Sequence, residues 1–103
     1  MASDDLIIVT TTAFKKHLKR AKKRNKDLNK LGILVSKIQA RQTLEPQYKD
    51  HQLVGGIFNL KKECHIEPDW LLVYDIQDTR LILIDTGSHS DLFKMSRIDC
   101  LSY

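Results

Sequence analysis

The sequence is poor in the features that announce a special architecture. Its 103 residues contain two cysteines, Cys64 and Cys100, in a chain long enough to fold without staples. They match neither a zinc spacing nor a disulfide framework, so a stapled scaffold is excluded and a reduced cytoplasm is the expected setting. Long hydrophobic runs are missing as well. The longest reach four or five residues, at Leu6–Val9, Gly32–Val35 and Leu81–Ile84, far below the ~18 that cross a bilayer. A soluble chain with no membrane partner is expected. The opening Met-Ala-Ser-Asp-Asp is acidic and is followed by no long apolar region, so no export signal is expected. No internal repeat is present, and the one biased segment is a run of basic residues.

What is present is enough for one domain over residues 1–103. A chain of this length with 42% hydrophobic residues buries roughly 60–70% of its unfolded surface around one core. Charge divides it unevenly. Residues 1–50 hold twelve Lys/Arg against five Asp/Glu, whereas residues 51–103 hold five against eight. Eight of the twelve residues in Lys15–Lys26 are basic, and such a density suits a polyanion, an acidic protein segment or simply a solvated helix face. Lys15, Lys19, Lys22 and Lys23 are the candidates for nucleic-acid contact in this run.

Leu6–Val9 is rich in β-branched residues and ends in three threonines, which predicts a strand and then a helix cap. Phe14, Leu18, Ala21, Asn25 and Leu28 follow at helical spacing, and Leu31, Leu34, Val35 and Ile38 form the buried stripe of a second helix beginning near Asp27 or Asn29. Gly32 weakens that helix. Pro46 closes the helical half, and Gly55-Gly56 marks a turn or bulge after a short run at His51–Val54. Downstream, Trp70, Leu72, Tyr74 and Ile76 alternate with Leu71, Val73 and Asp75, and Gln77-Asp78-Thr79 turns the chain into a strand at Leu81–Ile84. Helices segregated from strands, in the order β-α-α-β-β-β, predict an α+β domain: two N-terminal helices packed on a twisted antiparallel sheet of about four to five strands.

Three of the four histidines fall in polar settings of the second half: His51 in Lys-Asp-His-Gln, His65 in Glu-Cys-His-Ile-Glu and His89 in Thr-Gly-Ser-His-Ser. Period two places Cys64 and Ile66 on one strand face and Glu63, His65 and Glu67 on the other. Strand ends meeting on that face can bring the three histidines near Asp69. Histidine moves protons near neutral pH, so one ring can serve as acid and another as base. Zinc is the competing use, but the three histidines lack the close ligand pair usual in zinc sites, and no metal or other cofactor is expected. Ser88 and Ser90 flank His89 without a nucleophile-elbow pattern.

The blocks Tyr-Lys-Asp-His-Gln-Leu, Glu-Cys-His-Ile-Glu-Pro-Asp-Trp-Leu-Leu-Val-Tyr and Thr-Gly-Ser-His-Ser-Asp-Leu-Phe, in this order and near this spacing, resemble the YafQ branch of the RelE/ParE toxin superfamily over roughly residues 6–93. The resemblance implies a RelE-like fold and a toxin that cuts messenger RNA in the ribosomal A site without a metal. It also implies a cognate antitoxin of the DinJ/RelB kind as partner, in a hetero-oligomer. Carried over residue by residue, the catalytic surface would comprise His51, His65, Asp69, His89 and Phe93, with Glu63 at a further acidic position. RNA cleavage of this kind removes a proton from a 2′-hydroxyl, lets that oxygen attack phosphorus and protonates the departing 5′-oxygen. His89 is the expected acid and His51 or His65 the base, oriented by Asp69 or Glu63. Phe93 is placed either to stack on a base or to plug the core.

The chain departs from the family pattern twice. The arginine common before the Thr-Gly-Ser/Thr-His block is Asp85 here, and an arginine of the second block is Lys62, which keeps the charge without the planar fork. Either Asp85 turns away while Lys61, Lys62 or Arg80 supplies the cation, or the enzyme is slowed. Asp85 therefore keeps a second expectation open: a ParE-like or non-cleaving toxin that acts by binding a topoisomerase or a ribosome. The tail 94–103 is an expected C-terminal extension.

Overall fold

The structure is a computed structural model that describes residues 5–93; the expected extension at 94–103 lies outside the described residues. Strand β1 (Ile7–Thr10) leads into helix α1 (Thr12–Lys23), which starts where the Thr11 hydroxyl accepts the Phe14 N–H at 3.0 Å. This is the cap expected of the threonine triplet. The periodic stripe from Phe14 to Leu28 is not one helix. Helix α1 stops at Lys23, Asn25 takes a left-handed φ of 61° and Leu28 opens α2 (Leu28–Gln39). Asn tolerates that conformation and Asp27 caps the new helix through the Asn29 N–H, so local capping overrides the continuing apolar spacing.

After a 3₁₀ turn at Pro46–Tyr48 come β2 (His51–Gln52), β3 (Lys62–Glu67), β4 (Trp70–Gln77), β5 (Arg80–Gly87) and a single-turn helix α3 (His89–Leu92). Only the first two residues of the His51–Val54 run are strand; Leu53 then bends into a loop where Gly55 and Gly56 adopt φ of 81° and 73°. The α+β class and the helices-before-strands order are as expected. The sheet order is β1-β5-β4-β3-β2, and β1 pairs with β5 in parallel while the other neighbours are antiparallel. The expected all-antiparallel sheet is thus a mixed one. A hairpin dictates antiparallel pairing between β4 and β5, but β1 reaches the sheet through two helices, which leaves its direction free.

Helices α1 and α2 cover one face, where Phe14, Ala21, Leu31, Leu34 and Ile38 pack on Cys64, Trp70, Leu72, Tyr74 and Leu81. Each such fully buried Leu or Phe contributes about 1.5–3 kcal/mol. The opposite face carries a smaller cluster of Leu71, Val73 and Leu92 with Phe58 and Phe93 against it. Residues Trp70–Tyr74 are therefore buried on both faces of β4, and their sequence alternation separates two cores rather than core from solvent. Beneath the helices, the Trp70 indole N–H donates to Thr86 Oγ1 at 3.0 Å, and that hydroxyl donates to the Leu71 carbonyl at 2.7 Å. This pair pins the end of β5 from which the next residues run to His89.

Candidate active site

Strand register assembles the histidines. His51 in β2 lies opposite Glu63 in β3, His65 lies opposite Leu71 in β4, and Leu71 lies opposite Gly87 at the end of β5. Two residues later His89 opens α3. The three rings form a row, with centroids 6.3 Å apart for His51 and His65 and 5.5 Å for His65 and His89. The ends of the row are half-exposed, whereas the central His65 side chain retains 15% of its surface.

Two carboxylates orient the row. Glu63 is buried, with Oε1 3.4 Å from Nε2 of both His51 and His65, and its Oε2 has no hydrogen-bond partner. His51 is held on its other side, where Nδ1 donates to the Lys49 carbonyl. Asp69 takes the third ring: its Oδ1 accepts the His89 backbone N–H at 2.8 Å and faces Nδ1 at 2.6 Å. The backbone bond, and then the ring bond, lower the Asp69 carboxyl below its ordinary value. An ionised Asp69 can only accept, so Nδ1 carries a proton in both the neutral and the cationic ring, and Nε2 is the nitrogen left for substrate chemistry. A cleft of about 550 Å³ adjoins the row, lined by His65, His89, Gln47, Tyr48 and Lys49 among others.

The start of α3 is fixed by a capping box. Ser88 Oγ accepts the Asp91 N–H at 3.1 Å, and Asp91 Oδ2 accepts the Ser88 N–H at 2.9 Å. The Ser-x-x-Asp pattern is a cap signature legible in the sequence itself. Arg20 of α1 and its C-cap Arg24 pair with Asp91 at 3.3 and 2.6 Å; no local sequence signal joins residues so far apart.

Other expected members are engaged by other partners. Glu67 borders the same cleft as His65 and His89, but Ile66 is left out of the β3–β4 pairing, and beyond this bulge the Glu67 carboxylate accepts Lys26 at 3.0 Å and Lys30 at 2.9 Å. Lys30 and then Lys26 hold its carboxyl below the ordinary value. Lys61 donates to Asp75 at 3.0 Å and Lys62 to Asp50 at 3.2 Å, so both ammonium groups are tied to acids away from the histidine row. Lys15, Lys19, Lys22 and Lys23 are exposed along α1. Phe93 meets Phe58 edge-on at 6.0 Å and packs in the smaller core. Burial first, and then Asp50 and Glu63, push the Cys64 thiol up to about 12, which leaves it no role as a nucleophile. No group of three or more His, Cys, Asp or Glu side chains among the described residues is arranged to hold a metal ion.

The family model for the bacterial toxin of type II toxin–antitoxin systems, YafQ, matches residues 6–94. The chain belongs to the YafQ toxin family. The mRNA interferase toxin YafQ of Escherichia coli (strain K12) is 41% identical over 81 residues, which cover 78% of this chain and 87% of that protein. The crystal structure of the E. coli DinJ–YafQ toxin–antitoxin complex superposes with a TM-score of 0.78 at 37% identity, covering 86% of this chain and 98% of that one. A metal-bound toxin from Helicobacter pylori gives a TM-score of 0.79 at 44% identity, covering 85% and 99%.

Against the YafQ-family pattern, the departure at Asp85 has a structural answer. Its Oδ1 meets Nδ1 of His17 in α1 and accepts the Thr86 N–H at 2.8 Å. Strand β1 ends opposite Leu83, so α1 packs along the stretch of β5 that follows and draws Asp85 to itself. The acid is committed to the helix and not to the histidine row.

Proposed function

We propose that this YafQ-family chain is a ribosome-dependent, metal-independent endoribonuclease that cuts messenger RNA by histidine acid–base chemistry. A cognate DinJ/RelB-like antitoxin neutralises it. The observation that carries the reading is the row His51–His65–His89 with Glu63 between its first two rings and Asp69 on the third, because strand cleavage at a 2′-hydroxyl needs a base and an acid on opposite sides of one phosphate. With its Nδ1–H held by Asp69, His89 acts as the acid in its imidazolium form and gives the Nε2 proton to the departing 5′-oxygen. His51 or His65 removes the 2′-proton, and Glu63, equidistant from both, stabilises whichever ring becomes cationic.

The exposed lysines of α1 suit phosphate contacts on ribosomal RNA, which would weaken steeply with salt. The binding-only alternative rested on Asp85, and that side chain is bound to His17 instead of opposing a phosphate. The test is to map message 5′ ends by primer extension, with purified protein and ribosomes, then without ribosomes. Discrete new ends only in the presence of ribosomes support the reading. Growth arrest with intact message and damaged DNA would replace it with the ParE-like one.

A further inference from the structure

A second cleft, about 220 Å³, lies on the α1 side of Asp69. Its walls include Arg20, Arg24 and Lys26 from the end of α1 and the residues after it, and Asp69, Trp70 and Ser88 from the sheet side. Cationic charge is in excess there. Arg20 and Arg24 share the one carboxylate of Asp91, and Lys26 and Lys30 share that of Glu67. Arg24 sits at 2.6 Å from Asp91 Oδ2, but Arg20 Nη2, though ion-paired with the same oxygen at 3.3 Å, lacks hydrogen-bond geometry and is buried with no hydrogen-bond partner. A buried guanidinium nitrogen left unmatched is costly unless a ligand completes it.

Gly87 allows this placement. A Cβ there would stand 2.9 Å from Arg20 Nη2 and 2.8 Å from Asp91 Cβ, so only glycine lets the guanidinium lie against the backbone two residues before His89. Asp69 is the one carboxylate in the lining, and its Oδ1 is already taken by His89. His17 also borders the cleft, bound to Asp85.

The geometry points to this cleft as a phosphate subsite for the RNA strand, taking the phosphate immediately 3′ of the one that is cut, with Arg20 as its specific ligand. The inference rests on the proposed endoribonuclease activity. The direction follows from the acid: His89 protonates the 5′-oxygen of the leaving strand, and the cleft abuts the Asp69 and Ser88 that flank His89. The upstream nucleotide then occupies the larger cleft beside His65. A planar fork on a phosphate is the contact arginine makes best, and a subsite beyond the reacting bond adds orientation.

The test uses ribosomes programmed with synthetic messages in which one linkage, 3′ or 5′ of the cut, is an uncharged methylphosphonate. In wild-type protein the 3′ replacement lowers single-turnover cleavage about tenfold or more, and the 5′ replacement does less. Arg20→Gln causes a similar loss on the all-phosphate message and shows no further loss with the 3′ replacement; Arg20→Lys falls between. Multiplying losses, or a 3′ replacement without effect, would overturn the subsite. If wild-type protein fails to cut the all-phosphate message, it is the activity reading that falls. The subsite is then judged by titrating the free protein with a 2′-O-methyl trinucleotide while following the arginine side-chain N–H signals. Movement at Arg20 supports it, and stillness at Arg20 overturns it. Arg20→Gln weakening only antitoxin binding would assign the cleft to the antitoxin's acidic segment and overturn the RNA assignment.

Discussion

Asp69 Oδ1 receives both the backbone N–H and the ring Nδ1 of His89, at 2.8 and 2.6 Å. One exposed carboxylate thus holds the first residue of α3, whose start the Ser88–Asp91 box fixes, and keeps a proton on Nδ1 of its side chain. Asp69→Asn keeps the size but lets the amide present either a donor or an acceptor, which loosens the tautomer. Single-turnover cleavage should fall by about 10²-fold, while the melting temperature stays near wild type because the side chain is exposed. A rate within threefold of wild type would contradict the role.

Glu63 sets activity against stability. Its buried carboxylate sits 3.4 Å from two imidazoles and leaves Oε2 unpartnered, a configuration that costs free energy in the fold. Glu63→Gln should lower cleavage about tenfold or more and raise stability by about 1 kcal/mol, read as a higher denaturant midpoint. Loss of both together would mean that Glu63 is structural.

Thr86 serves the scaffold. Thr86→Val preserves shape but deprives the Trp70 indole of its acceptor and removes the bond to the Leu71 carbonyl. Chemical denaturation should show a loss of about 1–3 kcal/mol. Below the transition, cleavage should stay within a few-fold of wild type, since the histidine row is untouched.

Asp91 predicts a pH dependence of stability. Chiefly the Arg24 hydrogen bond, and then Ser88 and Arg20, hold its carboxyl well below the usual carboxylate range against the opposing effect of burial. A depressed folded-state value means the stabilisation is complete above the unfolded value of about 3.9 and is lost as pH falls through the folded one. Asp91→Asn should therefore melt below wild type at pH 7 by the equivalent of about 1 kcal/mol, with the gap narrowing as pH falls below about 4. A gap independent of pH would remove the ion pair from the explanation.

The parts of the fold legible in the sequence were those with local causes. Thr11 and Asp27 cap helices as their side chains predict, Gly55 and Gly56 take left-handed turns, and the short turn around Asp78 makes β4 and β5 antiparallel neighbours. The direction of β1 was not legible, because it is settled by a two-helix crossover and not by a turn. In the site, alternation grouped Glu63 with His65 and set Glu67 at the same cleft, yet it could not show that two lysines capture the Glu67 carboxylate. The pairing of His17 with Asp85 and of Arg20 and Arg24 with Asp91 joins residues more than sixty positions apart. Charge patterning shows such groups exist but not which will meet.

The central claim is that the histidine row, and not mere occupancy of a partner, is what makes this chain toxic. Its most direct test is single-turnover cleavage of a ribosome-bound message by wild type, His65→Ala and His89→Ala, each first shown to melt as wild type does. The account predicts cleavage by wild type and a loss of about 10²-fold or more in each variant, with ribosome binding retained. Unimpaired cleavage by both variants would contradict it.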